Sequence, residues 1–84
     1  MNFANYLKNI LEQHSLKAAD VHKHSGLAQA HISMFLSGKR YPSASSILIL
    51  ASSISELTEI SKEALILGIL NHIEKDFTEG VDND

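Results

Sequence analysis

The 84-residue chain has no cysteine, no tryptophan, a single proline and only four glycines. Without cysteine there is no disulfide and no thiolate zinc site, and a reducing cytoplasm is a compatible setting. No apolar run reaches the ~18 residues of a membrane span, and the N-terminal residues carry no signal-peptide pattern. No stretch alternates with period two long enough to read as a strand. Basic charge is also scarce: seven Lys and Arg face ten Asp and Glu, for a net charge of −3. That balance excludes a strongly basic nucleic-acid binder of the polycationic kind. There is no glycine-rich phosphate loop and no serine with a convincing base partner, so the chain does not read as an enzyme. No cofactor motif is found.

The charge is unevenly spread. Residues 1–42 carry Lys8, Lys17, Lys23, Lys39 and Arg40 against Glu12 and Asp20, a net +3, while residues 43–84 carry Lys62 and Lys75 against eight acids, a net −6. The local field at a binding face counts for more than the total, and this division permits DNA binding by the N-terminal half. Hydrophobic content of 44% is globular. A chain of this length makes one domain that buries roughly 60–65% of its unfolded surface.

Helical periodicity runs through the chain. Asn2 caps a first helix over about Phe3–His14, with Phe3, Leu7, Ile10 and Leu11 on one stripe and Tyr6 near its edge. Ser15 and Leu16 break the pattern. A second helix is predicted over about Lys17–His24 and a third over about Ala28–Ser37, separated by Gly26 and stopped by Gly38. Both glycines stand where φ > 0 is needed. Pro42 denies Tyr41 a comfortable αR conformation, so the loop of Lys39, Arg40 and Tyr41 is extended there. Ser43 caps a fourth helix, whose Ile47, Leu48, Leu50, Ala51 and Ile54 make it the most buried. Residues 52–59 read as a polar connection. A last helix, capped by Thr58 or Ser61, is predicted to run to about Phe77. The expected organisation is a single domain over 1–77 and an acidic flexible tail over 78–84, an all-α bundle of about five helices.

Val21, Leu27, Ile32 and Phe35 supply the apolar contacts that a compact helix pair over Leu16–Pro42 requires. This helix-turn-helix pattern, together with Gly26, the Ile32–Ser33 pair, Gly38, Pro42 and, further on, Ala51, resembles the family of phage lambda repressor, Cro and the XRE-like regulators. The chain departs from the family pattern at three positions. His22 stands where a small residue is usual, Ser25 where an apolar one is frequent, and Ala18 where a phosphate-gripping glutamine is common. The resemblance implies a helix-turn-helix whose second helix enters the DNA major groove. It further implies a cytoplasmic, nucleoid-associated transcription regulator, a repressor.

On that reading Gln29, Ala30, Ser33 and Met34 face the bases. A glutamine pairs with the adenine edge, and small or apolar groups touch a thymine methyl. Lys17, Lys23, His31, Lys39 and Arg40 are candidates for phosphate, which supplies affinity without sequence information. His24 and His31, titrating near 6.5 when free, are expected to tighten DNA binding at pH 6. His22 and His24 point about 200° apart on a helix and share no ion, so no metal site is expected.

The last helix carries a separate signal. At 100° per residue, Leu65, Ile66, Leu67, Ile69, Leu70, Ile73 and Phe77 cover an arc of roughly 200°, twice what one packed face needs. Leu65, Ile66, Ile69, Leu70, Ile73 and Phe77 are therefore assigned to a homodimer interface, matching an operator built of two half-sites. The alternative is an antitoxin-like or adaptor module that meets a different protein through its C-terminal half.

Overall fold

The computed structural model describes residues 2–82, with side chains through residue 78. Five helices follow in order: α1 (Phe3–Gln13), α2 (Ala18–Ser25), α3 (Gln29–Ser37), α4 (Ala44–Thr58) and α5 (Lys62–Asp82). Among the described residues there is no strand, and no helix is long and apolar enough to cross a membrane.

Most helices start on a side chain that satisfies an orphan amide. The Asn2 carboxamide accepts from Asn5 N–H at 2.8 Å, and Ser43 Oγ accepts from Ser46 N–H at 3.2 Å. Ser61 Oγ accepts from Ala64 N–H at 3.3 Å. In α2 the cap works backwards: Asp20, in the first turn, accepts from Lys17 N–H at 2.8 Å and places its charge at the positive end of the helix. Gly26 (φ 80°) and Gly38 (φ 79°) end α2 and α3 in the left-handed region, as their positions in the sequence predict. At Gly38 the closure is complete. Gly38 N–H donates to Phe35 O and Lys39 N–H to Met34 O, the paired bonds of a Schellman stop.

The core is built from Phe3, Leu7, Ile10 and Leu11 of α1, Val21 of α2, Ile32 and Phe35 of α3, Ile47, Leu50, Ala51 and Ile54 of α4, and Leu65 and Ile69 of α5. α5 packs on α1 and α4, α3 on α1 and α2, and α2 on α4. The α1–α5 contact depends on a missing side chain. A Cβ at Gly68 would collide with the Tyr6 phenol, so glycine there lets Tyr6 lie flat against α5. Tyr6 stacks on the His72 ring at 4.3 Å, and His72 Nδ1–H donates to Gly68 O at 2.7 Å. Burial pushes the Tyr6 phenol above its usual ionisation range.

Three sequence expectations need correction. Residues 52–58 are not a polar connection but the last two turns of α4. Serines are tolerated there because the hydroxyls have partners: Ser53 is buried against His24 of α2, and Ser55 Oγ donates to Ile60 O at 2.6 Å. Leu48, expected inside, is half exposed, because α4 buries its Ile47–Leu50–Ile54 side. α5 runs five residues beyond Phe77 to Asp82, and Thr78 Oγ1 donates to Glu74 O within it at 2.7 Å. Residues 83 and 84, the end of the expected acidic tail, lie outside the described residues.

Candidate nucleic-acid interface

α2 and α3 are joined by three residues, Gly26–Ala28, and the joint is held by side chains as well as by the glycine. His22 Nδ1–H donates to Leu27 O at 2.7 Å, and Ser25 Oγ accepts from Leu27 N–H at 3.0 Å. His22 and Ser25 thus bind both backbone groups of Leu27.

α3 divides sharply. Ile32 and Phe35 are buried, whereas Gln29, Ala30, Ser33, Met34 and Ser37 are all exposed. At 100° per residue these five occupy one arc of about 140°. The four residues expected to face bases therefore share one open face. Ser37 is an addition that sequence reasoning missed; its hydroxyl donates to Met34 O at 3.1 Å. His31 is half-buried at the edge of this face.

Lys39 and Arg40 are exposed directly after this face, and the Lys39 N–H bond to Met34 O makes the loop continuous with α3. The loop is then anchored by buried Pro42 and by Tyr41. Tyr41 O–H donates to Asp76 Oδ2 of α5 at 2.8 Å, and its ring lies 5.9 Å from Phe3 and 5.1 Å from Phe77. Lys17 and Lys23 are also exposed, but six residues apart on α2, or about 9 Å along its axis.

His24 is placed differently from expectation. It lies against α4, with Nδ1 2.8 Å from Ser53 Oγ and Nε2 3.5 Å from Glu56 Oε2. The His24 ring thus faces Ser53 and Glu56 of the same chain. The same residues line a groove of about 290 Å³ between α2 and α4, with Ser25, Leu48, Ile49 and Ser52. Among the described residues no group of three or more His, Cys, Asp or Glu is placed to hold a metal ion.

On α5 the assigned interface residues separate. Leu65 and Ile69 are each 1% exposed within the single chain and belong to the core, which corrects their assignment to a dimer face. Ile66 and Ile73 are half-buried against that core. Leu70 and Phe77 are exposed, and so is Leu67, which the assignment had left out. Periodicity measures how wide an apolar arc is, not which part of it the rest of the chain covers.

No protein-family model matches the chain, and neither does any curated protein or solved structure.

Proposed function

We propose that this chain is a sequence-specific DNA-binding transcription regulator that uses α2 and α3 as a helix-turn-helix and binds a two-fold-related operator as a homodimer. The observation that carries this reading is the open face of α3: Gln29, Ala30, Ser33 and Met34 exposed together, with the basic Lys39–Arg40 loop continuous with its C-terminal end. Small and amide side chains let a helix approach base edges closely, and a basic segment at the end of that helix suits the phosphates flanking a groove. Repression rather than activation follows from the family resemblance alone.

The homodimer is supported by the apolar strip of α5, where Leu67, Leu70 and Phe77 stand exposed beside Ile66 and Ile73. The same strip would serve the antitoxin-like or adaptor reading, in which a different protein covers it. Two measurements discriminate. Selection from a random duplex pool followed by gel shift is expected to yield a palindromic site, and equilibrium sedimentation is expected to yield a dimer. A chain that stays monomeric and selects no sequence overturns the reading in favour of the adaptor.

A further inference from the structure

A loop that grips phosphate must itself be held. Lys39, Arg40 and Tyr41 lie between helices, and past the Lys39 N–H bond their position depends on side chains. Those side chains converge on the C-terminal half of α5. Asp76 Oδ2 accepts from Tyr41 O–H at 2.8 Å and from Phe3 N–H at 3.2 Å, so one carboxylate oxygen joins the loop, the first turn of α1 and α5. The Tyr41 ring lies in tilted contact with both Phe3 and Phe77.

We propose that Tyr41 and Asp76 form a latch that positions the basic Lys39–Arg40 loop, making both of them positioning residues for the DNA contact of that loop. The importance of the latch for DNA rests on the function proposed above; the latch itself does not. A carboxylate that receives a phenolic O–H and a backbone N–H makes charge-assisted bonds, about twice as strong as neutral ones. Their loss frees the loop without removing any core side chain.

The experiment uses the full chain and the variants Tyr41→Phe and Asp76→Asn. Limited trypsin digestion reads loop opening directly, because cleavage after Lys39 and Arg40 tracks the population of the open loop. Both variants are expected to raise cleavage at these two bonds about tenfold or more, the effect of weakening or losing a hydrogen bond to a charged group. Cleavage within the helices and the circular dichroism spectrum are expected to stay at parental levels. A second readout is specific to the bond. Tyr41 ionises above the usual tyrosine value of 10.0 because of burial first, then the hydrogen bond and charge of Asp76. In a Tyr6→Phe background Tyr41 is the single phenol, and Asp76→Asn is expected to bring its ultraviolet titration back towards the usual value. Unchanged cleavage after Lys39 and Arg40 in both variants overturns the latch, as does an equal rise at every tryptic site. Raised loop cleavage with parental affinity for random duplex DNA supports the latch and locates the failure in the DNA reading of the loop.

Discussion

The outer faces of α3 and α5 are both exposed, yet they offer solvent different chemistries. α3 presents Gln29, Ala30, Ser33, Met34 and Ser37, with cations just beyond its last turn; α5 presents Leu67, Leu70 and Phe77. Burying an apolar strip of this kind removes area from water without needing any polar match. The α3 face has some apolar area, at Ala30 and the exposed Met34, but also carries an amide and hydroxyls that discriminate among hydrogen-bonding partners. Exposure alone does not characterise a surface: α5 offers apolar area, and α3 adds hydrogen-bonding groups to it.

The largest expected effect comes from charging the two sides of α5. Ile69→Asp puts a carboxylate into the core and is expected to abolish the cooperative thermal transition. Leu70→Asp, on the open side, is expected to leave a folded, soluble monomer by sedimentation. A Leu70→Asp protein that stays dimeric would move the interface away from the strip.

Next is the α3 face. Gln29→Ala is expected to lose roughly 1–3 kcal/mol on the selected operator and little on random duplex, measured by titration at fixed salt. Equal losses on both DNAs would reduce Gln29 to a general contact.

Lys39→Ala is expected to weaken both DNAs alike and to flatten the log-affinity against log-salt slope by about one per lost phosphate contact, hence about two for a dimer. An unchanged slope would remove Lys39 from the phosphate contacts.

The smallest effect concerns pH. Tyr6 and Tyr41 both ionise above the usual 10.0, Tyr6 through burial and Tyr41 through burial and then Asp76. A folded-state value raised above the unfolded one gives stability that is complete below about pH 10 and is lost as pH rises through the folded value. Urea midpoints between pH 8 and 11 are expected to fall for the parent and to fall less for Tyr6→Phe/Tyr41→Phe. Parallel decline in both proteins would assign the loss to other groups.

Much of the fold is local and was legible. Asn2 and Ser43 announce helix starts because a short side chain reaches amides three residues on. Gly26 and Gly38 announce stops because the left-handed region costs glycine nothing. The α3 face was readable for the same reason, since 100° per residue separates Ile32 and Phe35 from Gln29, Ser33 and Met34. Ser53 of α4 misleads because its partner, His24, lies 29 residues away in the chain, outside any local window. The surroundings of His24 are hidden for the same reason, since its neighbours Ser53 and Glu56 are about 30 residues away in the chain.

The amino-acid order by itself determined the helix pair, its glycine joint, the polar face of α3 and the excess of apolar residues on α5, all of which follow from side-chain size and spacing along a single helix. Only the tertiary structure decided which apolar residues of α5 remain uncovered, where His24 points, and that Asp76 holds both Phe3 and Tyr41. The reason is geometric: periodicity fixes angles about one axis, whereas burial and long-range hydrogen bonds depend on how separate axes are brought together.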